Sequence, residues 1–262
     1  MIVVQYADVG IGFSPHETGA ATAPRRFWEA ARELVSDGLG QPPVSIRTTG
    51  AHPIWGLRRL YVAGEAWWCF SVQGRGGRFG VAGTCRFGFL PGGEHPYDVW
   101  QVGVSRAAAG DPVTPPAAGA GRRRQIVADV LAGMAGRLSP LPIEADPSDA
   151  AEIIGTLLFA LPGLVARQYV WSTCLFQQHD QPDVGVVAAP WPAAFRAGGG
   201  RSLEHVDQQL LGGRRRAVAG ARSITLLVDL AVRRDRRVCD LAGRAASVAD
   251  LIELVGRELP AG

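Results

Sequence analysis

Between residues 79 and 90 apolar or small side chains alternate strictly. Phe79, Val81, Gly83, Cys85, Phe87 and Phe89 fall on one side, and Gly80, Ala82, Thr84, Arg86 and Gly88 on the other. A period of two predicts a β-strand. Val3–Tyr6 and Trp67–Gln73 read as strands, as does Asp98–Ser105 with Trp100, Val102 and Val104 on one face. Gln168–Gln177 reads as a strand that pairs with Val184–Ala188 across the His-Asp-Gln-Pro-Asp turn at 179–183. Helical spacing begins after Thr22, a cap residue with Ala23 and Pro24 in the first turn. Its stripe is Phe27, Ala30, Ala31, Leu34 and Val35, ended by Gly38. A second helix starts near Ser148, with Ile153, Ile154, Leu157, Leu158 and Leu161 on its apolar side and Pro162-Gly163 as its stop. Arg201–Leu211 reads as a short polar helix. Ile224–Val232 fits both templates and is assigned to a strand. Ser247 caps a last helix, with Asp250 three residues on and a stripe of Leu251, Leu254, Val255 and Leu259.

The periodic segments are separated at residues 111–121, DPVTPPAAGAG, where no apolar period survives, and again at Ser139–Ser148, which carries three prolines. This division predicts an α+β protein of two α/β-type subdomains, with mainly antiparallel sheets flanked by helices. Residues 1–110 form a β-rich N-terminal subdomain with one helix. Residues 111–148 form a Pro/Gly-rich linker and connecting helix, and residues 149–262 a C-terminal α/β subdomain. Val81–Phe87 and Val170–Phe176 share V-x-x-T-C-x-F, as two related subdomains or two unrelated strands would.

Composition narrows the chemistry. The 262 residues include 27 arginines, no lysine and no asparagine, which excludes a P-loop lysine, a Schiff base, a Ser-Lys dyad and a Cys-His-Asn triad. Both missing residues use A-rich codons, which points to a GC-rich bacterial genome. The net charge of +3 suits a local anion site better than wholesale nucleic-acid binding. No secretory leader follows Met1, and the longest apolar run, 153–166, is too short to span a bilayer. Cys69, Cys85, Cys174 and Cys239 are dispersed, as free thiols of a cytoplasmic protein would be. His16, His52, His95, His179 and His205 show no metal-ligand spacing. The nearest cluster, His179-Asp180 with Asp183, falls in the expected turn, so neither a metal nor a cofactor is expected. There is no G-x-S-x-G elbow, and no complete catalytic signature of any kind.

The candidate ligand residues are therefore arginines. Arg75 and Arg78 lie in the Gly-rich run Gln73–Gly80, which serves either as a phosphate-holding loop or as a hairpin connection needing positive φ. Arg122, Arg123 and Arg124 open a helix, where the positive end of the macrodipole makes exposed cations unfavourable unless an acid or phosphate meets them. Arg214, Arg215 and Arg216 form a second run, and Arg233-Arg234 with Arg236-Arg237 a third. Each is a solvated face or an anion site, and none has interleaved aromatics. Trp67 and Trp68 put one indole on each face of a strand, so both faces are covered or one meets a partner. Pro190 and Pro192 hold Trp191 stiffly. Trp68 and Trp191 are the candidate partner-binding residues.

The helix ending in Leu161-Pro162, the Val-Trp-Ser-Thr strand at 170–173 and Trp191-Pro192 resemble the middle domain of the bacterial GTPase-associated proteins. The Phe79–Phe89 strand resembles the N-terminal domain of the same proteins. These are large actinobacterial proteins encoded beside GTPases in conflict or signalling systems. The resemblance spans about residues 60–105 and 150–195, and its motifs are structural, so it transfers no catalytic residue. It implies a cytosolic adaptor or scaffold that is not an enzyme and binds a protein partner such as a GTPase; composition, apart from the resemblance, leaves no role for nucleic acid or membrane. The alternative is a sensor or enzyme for a phosphate or nucleotide ligand that uses the arginine clusters, since guanidinium binds phosphate bidentately.

Overall fold

The computed structural model describes residues 1–8, 13–15, 23–36, 54–74, 84–108, 119–136, 142–144, 147–173, 187–189 and 221–259. Among the described residues eight strands lie in one sheet in the order β2-β1-β5-β4-β3-β7-β8-β6. They are β1 (Ile2–Asp8), β2 (Phe13–Pro15), β3 (Ile54–Val62), β4 (Glu65–Gly74), β5 (Thr84–Pro91), β6 (Pro142–Glu144), β7 (Trp171–Ser172) and β8 (Val187–Ala189). All pairs from β2 to β7 are antiparallel. Only β7–β8 and β8–β6 run parallel. The helices among the described residues are α1 (Arg25–Ser36), α2 (Pro96–Ala108), α3 (Ala120–Ala135), α4 (Pro147–Ala160), α5 (Gly163–Ala166), α6 (Ala221–Val232), α7 (Arg236–Arg244) and α8 (Val248–Glu258). The fold class is α+β.

The period of two divides the strands between two cores. On one face Val4 and Tyr6 of β1, Cys85, Phe87 and Phe89 of β5, Cys69 of β4 and Val62 of β3 pack under α1, which contributes Phe27, Ala31 and Leu34. On the other face Trp55 and Leu57 of β3, Trp68 and Phe70 of β4 and Trp171 of β7 join residues of α2, α3, α4, α6, α7 and α8 in one larger cluster. Strands from either side of residues 111–148 share the sheet, because β3 pairs with β7 (Gly56 with Ser172, Leu57 with Trp171). Trp67 and Trp68 do place one ring on each face. Trp67 meets Phe27 edge-on with ring centres 4.9 Å apart, while Trp68 is fully buried in the larger core.

The strand expected at 98–105 is helix α2. Its buried positions are Pro96, Val99, Trp100 and Gly103, a spacing of three and four, and Pro96 opens it where a missing N–H costs nothing. The strand assigned to 224–232 is helix α6, which buries Ile224, Leu227, Val228 and Ala231 with the same spacing. Val187–Ala189 joins Ser172 in parallel, so the two do not form the expected hairpin. The stop at Pro162-Gly163 holds, as does the last cap. The Ser247 hydroxyl accepts from the Asp250 backbone N–H at 3.1 Å, and the Asp250 carboxylate accepts from the Ala246 backbone N–H at 2.9 Å. Thr22 and the helix expected at 201–211 lie outside the described residues.

α2 reaches the sheet through Gly103. A Cβ built there would lie 2.3 Å from Cγ of Phe70, a buried ring of β4. Gly103→Ala should therefore force the helix away from the strand and cost about 2 kcal/mol, a typical overpacking penalty, read as a lower urea midpoint at unchanged slope.

Candidate functional site

Two of the three arginines that open α3 are engaged within the chain. Arg123 Nη1 donates to Asp149 Oδ1 at 3.2 Å, and the Asp149 side chain is only 2% exposed in the first turn of α4. Arg124 faces Asp229 of α6 at 3.6 Å, with both groups well exposed. The acids that meet this cluster's charge belong to neighbouring helices, so Arg123 and Arg124 fasten α3 to α4 and α6.

The cluster around the α6–α7 turn behaves alike. Arg234, at φ 56°, donates to the Ala231 carbonyl at 3.2 Å and to Glu152 of α4 at 3.4 Å. Its guanidinium lies 5.0 Å from the Tyr97 ring centre and 5.5 Å from that of Phe159. Asp235 caps α7 by accepting from the Arg237 backbone N–H at 3.0 Å. Hydrogen bonds from the Arg237 guanidinium, then from that backbone N–H, hold its carboxyl at about 2. Arg244 of α7 pairs with Glu258 of α8. Arg75, Arg78, Arg214, Arg215, Arg216 and Trp191 lie outside the described residues. Trp68 donates its indole N–H to the Glu94 carbonyl at 3.0 Å from inside the core, so this candidate partner-binding side chain has no surface to offer.

The described thiols are shielded. Burial pushes Cys69 to about 12, with the adjacent Arg58 opposing the shift, and burial alone does the same for Cys85. Cys239 is half-buried and raised in the same sense, by burial first and then by Asp240 and Asp98. Thiolate, not thiol, is the nucleophile. In native protein at pH 8 a thiol reagent should leave Cys69 and Cys85 unlabelled until the chain unfolds globally, as peptide-resolved mass spectrometry would read. The same shift sets a pH dependence. Between the ordinary thiol value of 9.0 and about 12, the folded chain holds more protons on these two groups than the unfolded chain. Stability should therefore fall as pH rises through that window.

His95 is the one histidine among the described residues. Its Nδ1 accepts from the Tyr97 backbone N–H at 3.3 Å, which leaves Nε2 as the donor of the neutral ring. Burial holds its pKa below the ordinary value, with Asp98 opposing and Arg167 adding to the shift. His16, His52, His179, His205 and Cys174 lie outside the described residues. Among the described residues no group of three His, Cys, Asp or Glu side chains is placed to hold a metal ion. No helix among them is long and apolar enough to cross a membrane.

The side chains that stand out are ones the sequence motifs pass over. Arg58 and Arg59 are consecutive in β3, so their guanidiniums lie on opposite faces, and both carry buried N–H groups without a hydrogen-bond partner. Arg167, just after α5, has a buried and unpartnered Nε as well. Tyr61 at the end of β3 is 70% exposed and Leu164 of α5 is 64% exposed. The signal available in the sequence was the Arg58-Arg59 pair within the apolar run Ile54–Val62. In a strand covered on both sides, such a pair must send one cation into each layer.

Comparison with family models, curated proteins and solved structures finds no match.

Proposed function

We propose that this chain is a cytosolic, non-enzymatic adaptor that binds a protein partner. The partner class implied by the sequence resemblance is a GTPase of a bacterial conflict or signalling system. The observation that carries the reading is the exposure of Tyr61 and Leu164, large apolar side chains held in water by a strand and a helix rooted in the core. Tyr61 has the Arg59 guanidinium 5.9 Å from its ring centre, and tyrosine and arginine are the residue types that anchor protein contacts. The engagement of Arg123, Arg124, Arg234 and Arg237 with acids of this same chain favours this reading over a ligand sensor built on those clusters.

The test is direct binding to a GTPase of the kind encoded beside the proteins this chain resembles, with both proteins purified. Wild-type protein should form a complex by titration calorimetry. Tyr61→Asp and Leu164→Asp should each weaken it by about tenfold or more, the effect of losing an interface anchor. Absence of a complex, or a complex indifferent to both substitutions, would overturn the assignment.

A further inference from the structure

Backbone pairing and two indole hydrogen bonds connect the segments that carry Arg59, Arg167 and His95 on the helix-covered sheet face. Arg59 is the cross-strand partner of Trp68, whose indole N–H reaches the carbonyl of Glu94, the residue before His95. Leu57, two residues before Arg59 and on the same face, is paired with Trp171. The Trp171 indole N–H donates at 3.1 Å to the carbonyl of Ala166, the residue before Arg167. Arg167 acts electrostatically on His95. The Nε atoms of both arginines are buried without a hydrogen-bond partner, and no carboxylate among the described residues pairs with either guanidinium. Glu94, before α2, and Asp98, in its first turn, are exposed, and among the described residues neither forms an ion pair with Arg59 or Arg167. A guanidinium with buried, unsatisfied donors is costly unless an anion meets it.

We propose that Arg59, Arg167 and the Nε2–H of His95 form a binding site for a phosphate-class oxyanion, at the end of β3 beside α5. Two guanidinium forks and one neutral imidazole donor match the several acceptor oxygens of a phosphate better than a single carboxylate. Arg59 lies two residues before Tyr61, beside whose ring its guanidinium sits, and Arg167 three residues after Leu164; the site needs no second protein, so anion binding is tested apart from the adaptor reading.

Inorganic phosphate is the first probe, with chloride at matched ionic strength as the reference. Phosphate should raise the thermal midpoint saturably, as a ligand of the folded state does. Calorimetry should show one site, with affinity at least about tenfold weaker in Arg59→Gln and in Arg167→Gln and unchanged in Arg122→Gln. Circular dichroism checks that the variants fold. Should Arg59→Gln fail to fold, Arg59→Lys keeps the charge, loses the fork and should still weaken binding. Phenyl phosphate distinguishes the source of the anion. Tighter binding than phosphate assigns the site to a phosphorylated organic group, and equal binding assigns it to the free ion. Absence of saturable binding, or binding unchanged in both glutamine variants, would overturn the proposal.

Discussion

Trp171→Ala should cost about 4 kcal/mol of stability, a loss typical of a buried tryptophan cut back to alanine. The indole is fully buried, packs edge-on against Tyr169 with ring centres 6.0 Å apart, and donates to the Ala166 carbonyl. The same residue pairs through its backbone with Leu57, and its neighbour Ser172 pairs with both Gly56 and Val187. The indole thus ties α5 to β7, whose backbone joins β3 to β8. Trp171→Phe separates the contributions. It keeps most of the apolar area but leaves a buried carbonyl without its donor, so it should cost about 1–3 kcal/mol. Urea unfolding followed by far-UV circular dichroism reads both. A loss below about 1 kcal/mol for the alanine variant would mean that β7 does not hold the two parts of the chain together.

Asp149→Ala should cost about 3 kcal/mol, whereas Asp229→Ala should cost less than about 1 kcal/mol, although their partners Arg123 and Arg124 are adjacent in sequence. Burial makes the difference. Asp149 is 2% exposed and Arg123 23%, while the Arg124–Asp229 pair is 44% and 37% exposed. Breaking a buried pair leaves a charge in a poorly solvated site, at a typical cost of about 3–5 kcal/mol. The lower end applies because Arg123 still reaches water. An exposed pair is screened and contributes about 0–1 kcal/mol. Raising salt from 50 mM to about 1 M should therefore narrow the effect of Asp229→Ala and leave that of Asp149→Ala nearly unchanged. Equal costs at the two sites would contradict the role given to Arg123 as a buried fastener.

Elements with an unambiguous period were legible in the sequence. Cys85, Phe87 and Phe89 share the buried face that their alternation predicts, and Ser247 caps the helix it was expected to cap. In α2, Trp100, Val102 and Val104 also alternate, so aromatic and β-branched residues on a half-buried helix imitate a strand. α6 was misread because Ile224–Val232 is so apolar that both templates fit, and only packing against α3, α4 and α8 decides. β3 escaped notice because Arg58-Arg59 interrupts its apolar run. The arginine clusters were visible, but their fates were not. Asp149 lies 26 residues from Arg123, and pairing across that distance is a tertiary fact. Arg59, His95 and Arg167 are farther apart still, and no spacing rule connects them.

Hydrogen–deuterium exchange of the chain with and without the GTPase proposed as its partner tests the adaptor account most directly. The account predicts added protection at the end of β3 around Tyr61 and in α5 around Leu164, with α3 and its Arg123–Asp149 fastening unchanged. Protection confined to α3, or a chain that hydrolyses nucleotide by itself while showing no protection at either position, would contradict it.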